Sequence, residues 1–495
     1  MTIETERLVH SPPACASCEA QRSPRIAIIG AGFSGTLVLA HLIASGGAFE
    51  IDVFEAREDC GSGIAYGACD AHHLLNMQVA RMGAFDADDF LRWLQSDGGA
   101  RAGAQIGLKR APAATDYAPR ALYGLYLKDI LADALDKARR RGIRVRVVRA
   151  AVSDMFLRKD GMMVVVADGR RSEADAVVLA TGNLRPRTPE ALSRSAGRSP
   201  RYVGDLWSGG QTFRNGARRL SKADTVLVLG TGLTAVDAIL SLRAQGFDGK
   251  IVAMSRHGRL PLAHGAGARL PWTLTVRPDD VPPTARALLA WLRREAKYAE
   301  AEGVGWRSVF DAVRPFTQRL WQALDTRERR KALRRLSLWN IHRHRMPPAA
   351  AVVLGALREI GQLEILAARC SSIERRLGGF AVRFRRKGSQ THEMLRPALV
   401  INCMGPECEV AQIDHALFRN LLRRRLIESA PAGGIVARDK SAAEGRNDGR
   451  IFAIGPLLVG ELLETTAVPE LRELAKHVAG LVGERVRATL SAHHR

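Results

Sequence analysis

The stretch Arg25–Gly46 reads RIAIIGAGFSGTLVLAHLIASG, an apolar run, a glycine-rich turn and a second apolar run. Its GxGxxG spacing is typical of a strand, turn and helix that bind a dinucleotide. The first glycine permits the tight turn, the second lets the backbone approach a pyrophosphate, and the third lets helix and strand pack closely. The helix N-terminus presents free N–H groups to the anion. The predicted cofactor contacts here are Gly30, Gly32, Phe33, Ser34 and Gly35.

The next apolar run, EIDVFEA, ends near Glu55, where an acid can bind a ribose hydroxyl. The chain then repeats the unit as TVLVLGTGLTAVDAILSL, Thr225–Leu242, with Ala235 in the third glycine position. The strand after this repeat ends without an acid. A carboxylate would repel a 2′-phosphate, whereas an arginine pairs with one, so the second unit is predicted to prefer NADPH to NADH. Its predicted contacts are Gly230, Gly232, Leu233, Thr234, Ser255 and Arg256.

Two further apolar runs end in glycine turns. VVLATGN contains Thr181 and Gly182, which we expect at the cofactor, and LVINCMGP ends at Pro406. Each turn alone is a weak signal. Together with two dinucleotide fingerprints, they favour an α/β fold with two Rossmann-like domains.

The order of these units predicts the domain organisation. Strand signals at both ends of the chain indicate that the first dinucleotide-binding domain is discontinuous, at 24–222 and 396–495, preceded by a flexible tail at 1–23. The NADPH-binding domain is expected at 223–395, with a helical insertion at about 283–345. The runs IRVRVVRAAVSDMFL and GMMVVVAD alternate and suit antiparallel strands.

Composition limits the alternatives. The chain has 495 residues, 46% of them hydrophobic, which supports real cores. A net charge of +23 is compatible with nucleic acid or a membrane surface, but an arginine-rich chain with attraction for anionic ligands explains it more simply. Cys15 and Cys18 form a lone CxxC in the tail, so no metal site is predicted. Without a signal sequence, we expect a soluble cytoplasmic protein with no nucleic-acid partner.

The order of motifs resembles the two-dinucleotide-binding-domain flavoproteins, in which the first unit holds FAD and the second NADPH. Several strings also resemble one bacterial family of FAD/NAD(P)-binding oxidoreductases. They are GSGIAYG (Gly61–Gly67), HLLNMQVARMGAF (His73–Phe85), PRALYGLYL (Pro119–Leu127), SRHGRLPLAH (Ser255–His264), HRHRMPP (His342–Pro348) and AIGPLLVGELLETTAVPELR (Ala453–Arg472).

The resemblance implies an FAD-dependent, NADPH-consuming monooxygenase that uses O2 and a small polar substrate. Relatives resemble urate-hydroxylating enzymes and N-hydroxylating monooxygenases, so a purine-like heterocycle or an amine is expected. Two alternatives stay open: a flavin reductase that passes electrons to a quinone or protein, and a non-catalytic nucleotide- or nucleic-acid-binding protein. An oligomer is compatible with either.

The resemblance also suggests where the flavin and substrate lie. N-hydroxylating monooxygenases carry a Met-Gln pair in their flavin loop, like Met77 and Gln78 here, and Asn76 is expected to contact the flavin edge as well. Thr466 stands where a final helix begins, whose N–H groups would face the flavin.

Three further positions complete the expected site. Gly455 precedes a proline where the superfamily has an aspartate, so the flavin ribityl chain needs another partner. Arg81 and Arg345 are candidates for an anionic substrate, with Arg120 as a weaker one. The sequence indicates no catalytic acid or base.

Overall fold

A computed structural model describes residues 22–67, 69–70, 72–207, 210–265, 270–436 and 449–492. Cys15, Cys18 and most of the expected tail lie outside the described residues. The strands are β1 (Arg25–Ile29), β2 (Glu50–Glu55), β3 (Val145–Arg149), β4 (Val152–Leu157), β5 (Met163–Ala167), β6 (Arg170–Ala174), β7 (Ala176–Leu179), β8 (Tyr202–Val203), β9 (Thr225–Leu229), β10 (Lys250–Ser255), β11 (Leu363–Arg376), β12 (Gly379–Arg386), β13 (Glu393–Leu395), β14 (Leu399–Asn402) and β15 (Ile451–Ala453).

The helices alternate with these strands in most of the chain. They are α1 (Phe33–Ser45), α2 (Gly63–Gly67), α3 (Asp89–Leu94), α4 (Asp97–Gln105), α5 (Arg120–Arg140), α6 (Arg194–Gly197), α7 (Gly210–Ala217), α8 (Leu233–Ala244), α9 (Ala285–Ala301), α10 (Trp306–Val313), α11 (Thr317–Ala323), α12 (Thr326–Leu333), α13 (Leu336–Arg343), α14 (Pro348–Glu359), α15 (Ala416–Arg423) and α16 (Val468–Ala492). In the part of the chain that the structure describes, no helix is long and apolar enough to cross a membrane.

The first sheet unites both ends of the chain. Its five parallel strands run in the order β15-β7-β1-β2-β3. Strand β1 is central and α1, apolar around most of its surface, packs between this sheet and helices α5 and α16. Such near-continuous apolar runs are expected where both faces of a parallel sheet are covered.

The second sheet has seven strands in the order β13-β12-β11-β10-β9-β14-β8. The pairs joining β11, β12 and β13 are antiparallel, and the others are parallel. Strands β8 and β14 therefore lie in the second sheet, although the predicted boundaries place them in the FAD domain. The short β8 gives little sequence signal. The edge of β9 is covered by β14, which pairs with it in parallel, and β8 pairs with β14.

The two sheets are linked by paired crossing segments. Pro186 and Pro406 form an isolated antiparallel bridge, and the Glu407 N–H donates to the Arg185 carbonyl at 3.0 Å. We propose domain boundaries at these crossings, near 186 and 406, in place of 222/223 and 395/396.

A separate antiparallel sheet of β4, β5 and β6 packs against α15. The antiparallel prediction for the 145–149 run is wrong, because β3 pairs in parallel with β2. Alternating side chains at the edge of a covered parallel sheet resemble an antiparallel pattern in sequence.

Helices α9 to α13 lie between β10 and β11, in the range where the insertion is expected. They share a small core that includes Trp272, Trp291 and Val309. Buried Glu295 accepts hydrogen bonds from the indole N–H groups of Trp272 at 2.8 Å and Trp291 at 3.1 Å. The insertion therefore has its own apolar centre, organised around one satisfied carboxylate.

Candidate cofactor and substrate site

The two glycine turns have the same backbone geometry. Gly30 has φ 104° and Gly230 has φ 110°, a region that side chains rarely adopt. A Cβ at Gly30 would lie 2.4 Å from the Ala180 carbonyl oxygen, and one at Gly230 would lie 2.3 Å from that of Cys403. Each first glycine is therefore required twice, by its conformation and by the neighbouring strand end.

Both turns open helices whose first N–H groups are free to bind an anion. Gly32 caps α1 and Gly232 caps α8; among the described residues, neither helix has a side-chain cap or an acid in its first turn. The orphan N–H groups and the positive helix end fit a pyrophosphate. Phe33, Ser34, Leu233 and Thr234 begin these helices, where such a group would be held.

The ends of β2 and β10 differ in the way that sequence suggests. Buried Glu55 accepts hydrogen bonds from the N–H groups of Ala31 at 2.8 Å and Arg57 at 3.0 Å. In the second unit the Ser255 hydroxyl instead contacts that of Thr231 at 2.9 Å. Ser255 thus braces its own turn, while the exposed Arg256 stands at the open end of the strand.

Residues from the middle and the end of the chain meet the first turn. The Thr181 hydroxyl is buried and, within the described residues, has no hydrogen-bond partner, while Gly182 has φ 67°. Gly455 has φ 88°, and a Cβ there would lie 3.6 Å from the Ser34 hydroxyl oxygen. An unpartnered hydroxyl beside two glycines at positive φ fits a nucleotide lying on this edge of the sheet.

A polar cavity of about 80 Å³ lies where five parts of the chain converge. It brings together the sequence-predicted residues Asn76, Met77, Gln78, Arg81, Arg345 and Thr466. Met82 belongs to the same loop as Asn76. The remaining wall comes from α2, the segment after β10, the insertion and the start of α16, at Tyr66, His264, Asp311, Arg314, Arg343, His344, Ala467 and Val468.

The flavin-loop residues differ in how their polar groups are used. The Asn76 carbonyl accepts a hydrogen bond from His264 Nε2 at 2.8 Å, which ties the first unit to the second. The Gln78 amide N–H donates to the Thr115 carbonyl at 3.2 Å, so this donor is directed at its own domain. Met77 is buried in the first core.

The cavity wall carries an ion-pair network that sequence reasoning largely missed. Arg345 contacts Asp311 at 2.8 Å, and Arg81 lies 3.7 Å from the same residue. A second cluster joins Arg343 to Glu464 at 3.2 Å.

This second cluster is buried and strongly charged. Burial alone would raise the pKa of Glu464, but the nearby His344, whose Nε2 lies 3.8 Å from the carboxylate, and the charge of Arg343 lower it to about 2. Arg343 and Arg314 both contact Glu470, at 3.3 and 2.6 Å. The strings HRHRMPP and AIGPLLVGELLETTAVPELR contain the arginines at 343 and 345 and the acids Glu464 and Glu470, but neither string indicates that these residues pair.

The interface between the two units explains Arg120. Its guanidinium contacts Asp237 of α8 at 2.9 Å, so the structure assigns Arg120 to domain contact rather than to an anionic substrate. Burial raises the pKa of Asp237 to about 6, although the charge of Arg120 opposes this.

Two histidines beside this pair meet Ser241 of α8. His73 Nε2 lies 2.7 Å and His72 Nε2 lies 3.0 Å from the Ser241 hydroxyl. With Asp70 they form a group of three possible metal ligands. However, His73 Nδ1 accepts the Asp70 N–H at 3.2 Å, which leaves the hydrogen on Nε2. This tautomer donates to Ser241 and does not suit a metal ion.

Comparisons with known proteins agree with this architecture. Residues 27–184 match a family model described as FAD-NAD(P)-binding. Over 228 residues the chain is 27% identical to the uncharacterized protein YdhS of Escherichia coli (strain K12), a match that covers 45% of this chain and 40% of that protein. The chain thus matches less than half of that relative's length.

Two solved structures resemble nearly the whole chain. The ornithine N-hydroxylase of Kutzneria sp. 744, in a complex with FAD, NADP+ and L-ornithine, has a TM-score of 0.62 at 13% identity, covering 94% of this chain and 100% of that one. L-lysine 6-monooxygenase from Pseudomonas syringae has a TM-score of 0.60 at 16% identity, covering 94% and 99%. At this identity the likeness shows the fold.

Residues 27–184 therefore form an FAD-NAD(P)-binding region, and the chain shares the fold of these two solved structures over nearly its whole length. The predicted α/β fold is confirmed, and the match to the FAD-NAD(P)-binding model supports the predicted FAD and nicotinamide cofactors. The individual cofactor contacts proposed from the sequence stay predictions.

Proposed function

We propose that this protein is an NADPH-consuming flavin monooxygenase that hydroxylates a small substrate held in the polar cavity. The observation that supports it best is the convergence of the flavin loop, the insertion arginines and the start of α16 on that cavity. A bound flavin would supply electron transfer from NADPH to oxygen. The first glycine turn would hold FAD and the second would hold NADPH.

The residues around the cavity have distinct tasks in this proposal. Thr466 and Ala467 precede α16, whose free N–H groups favour negative charge nearby. His264 holds the Asn76 backbone and so positions the flavin loop.

The charge of the wall favours a substrate with an acidic group. Four arginines line the cavity, and their carboxylate partners are Asp311, Glu464 and Glu470, which leaves an excess of positive charge. Arg81 is half exposed and its only ion pair in the described residues is the longer 3.7 Å contact. A substrate amine would therefore be accompanied by a carboxylate, as in an amino acid; an acidic heterocycle such as urate also suits this charge, whereas a bare diamine does not.

A substrate panel tests this proposal. NADPH oxidation and oxygen uptake would be followed with lysine, ornithine, cadaverine and urate, and ¹⁸O2 would be used to label the product. We expect label in the product of an acid-bearing substrate and none with cadaverine. Oxidation of NADPH without labelled product for any substrate would favour the flavin reductase alternative.

A variant of Arg81 tests the binding of the acidic group, and a variant of Arg101 is its matched control. Arg81→Ala is expected to raise KM for the acidic substrate about tenfold with little change in kcat, because a charged hydrogen bond used in binding is lost. Arg101→Ala, at an exposed position on α4, should leave both constants unchanged. The cytoplasmic location expected from the sequence stays a prediction.

A further inference from the structure

A second cavity, of about 420 Å³, lies among the insertion helices α9 to α13. It is separate from the polar cavity, because the intervening helices α10 and α13 present different faces to the two. Phe310 and His342 line the larger cavity, whereas Asp311 and Arg343 line the polar one. Its volume lies within the range of roughly 300–1,000 Å³ that is common for small-molecule sites.

The wall of this cavity is mainly aromatic and aliphatic. Four of the seven tryptophans in the chain line it: Trp291, Trp306, Trp321 and Trp339. The N–H groups of Trp291 and Trp321 are bonded to Glu295 and the Gly460 carbonyl. The Trp339 N–H is buried and has no acceptor among the described residues.

The charges around the cavity have a single sign. None of the described residues that line it is acidic, and the charged ones are Arg293 and Arg335. Both arginines are exposed, which places them at the open side of the cavity. Neither forms an ion pair within the part of the chain that the structure describes.

We propose that the insertion forms a binding site for an amphipathic carboxylate, a molecule with an apolar body and one acidic group. The apolar body would pack against the four indoles, and the acidic group would lie near Arg293 and Arg335. Guanidinium groups bind carboxylates through paired hydrogen bonds. An alkylammonium of the same length would meet two uncompensated positive charges. Since binding requires neither flavin nor NADPH, this site goes beyond the monooxygenase proposal.

The four indoles give a direct readout. Tryptophan emission of the full chain would be titrated with 10-bromodecanoate, whose bromine quenches nearby indoles, and then with decanoate as competitor. We expect saturable quenching that decanoate reverses, and at least tenfold weaker competition by decylammonium. Equal competition by decylammonium, or the absence of saturable quenching, would overturn the proposal.

Paired substitutions locate the site. Ala296 lines the cavity on α9, so Ala296→Phe should abolish quenching, whereas Ala290→Phe, at an exposed position on the same helix, should not. The double variant Arg293→Gln, Arg335→Gln should weaken decanoate binding about tenfold and leave decanol unaffected. Its control replaces the adjacent exposed residues Arg294 and Arg334 by Gln.

Two outcomes concern the occupant. Decanoate-dependent NADPH oxidation with an oxygenated product would identify the ligand as a substrate, and binding without turnover would identify a non-reacting ligand; either supports the site. A dimer that dissociates in Ala296→Phe, together with quenching that this variant does not change, would assign the cavity to a second copy of the chain and overturn the proposal. Flavin absorbance checks the fold of every variant.

Discussion

The two dinucleotide units have the same turn but differ in how closely they are covered. A Cβ at Gly32 would lie 3.3 Å from the Cα of Gly63, so the 61–63 segment packs directly on the first turn. A Cβ at Gly232 would meet nothing within 4 Å among the described residues. We infer that the first unit is built to retain its nucleotide and the second to exchange it.

The hydrogen bond that joins each glycine turn to the end of the following strand is also stronger in the first unit. In the first unit the carboxylate of Glu55 accepts the Ala31 N–H, a charge-assisted bond within the core. In the second, the equivalent Thr231 and Ser255 are joined by a hydroxyl–hydroxyl contact. Charge-assisted bonds are roughly twice as strong as neutral ones, so the first turn is held more firmly.

The largest expected effect comes from the first glycine of each turn. Gly30→Ala should yield protein that retains no FAD, because strain at positive φ is added to a clash with the Ala180 carbonyl. Gly230→Ala should keep the flavin spectrum but lower the rate of flavin reduction by NADPH at least about 100-fold. Anaerobic stopped-flow measurements separate the two. If Gly230→Ala lost FAD and Gly30→Ala kept it, the assignment of the two units would be reversed.

A second effect is expected where the two units meet, at His73 and Ser241. Burial, together with the charges of Arg120 and His72, lowers the pKa of His73 to about 4. The His73 imidazole is therefore protonated near pH 6.5 in the unfolded chain but only near pH 4 in the folded chain. The stabilisation is complete above pH 6.5 and is lost as pH falls towards 4, with an upper limit of about 3 kcal/mol.

The neighbouring Asp237 titrates in the opposite sense. Its raised pKa means that its contribution is present below about pH 4 and is lost as pH rises through 6. The contribution of Asp237 is present in both the wild type and His73→Gln, so it cancels when the stabilities of the two proteins are compared. As pH falls from 6.5 to 4, the free energy of unfolding of the variant should rise relative to that of the wild type by up to about 1.4 kcal/mol per pH unit. Urea unfolding across this range measures it, with exposed His392→Gln as control. A pH-independent difference would show that His73 does not titrate.

The repeat itself was predictable from the sequence, whereas its surroundings were not. Gly30 and Gly230 are recognisable because backbone conformation demands glycine in a local pattern. The crossing segments near Pro186 and Pro406 had no such signal, since they are defined by pairing between residues far apart in the chain. Strand β8 is two residues long and gains its identity only from β14 beside it.

The polar cavity shows the same limit. Asn76, Met77 and Gln78 were found through a family-like string, and the structure places them with Arg81 and Arg345. The acid that pairs with both arginines, Asp311, is a single residue on α10. Nothing local distinguishes such residues from exposed helical charges, so only the tertiary arrangement reveals the ion pairs.

A third prediction uses the second glycine of each turn. Gly232→Ala adds a methyl group to an open cradle, so stability should be unchanged while NADPH affinity falls about tenfold, because the pyrophosphate can no longer approach the backbone. Gly32→Ala should lower the thermal midpoint as well as FAD content, since Gly63 must move. Scanning calorimetry and nucleotide titrations report on each. Loss of stability in Gly232→Ala would show that the second turn is also covered.

The smallest expected effect tests whether the end of β10 selects the 2′-phosphate. Arg256→Ala should raise KM for NADPH about tenfold and change KM for NADH less than about twofold, because only NADPH carries the charge that Arg256 would bind. Arg375→Ala, exposed at the far end of β11, is the matched control for loss of one charge. Equal changes for both nucleotides would remove Arg256 from the phosphate site. Since Ser255 is already bonded to Thr231, selectivity would then have to come from another basic residue near the turn, of which exposed Arg259 is the first to test.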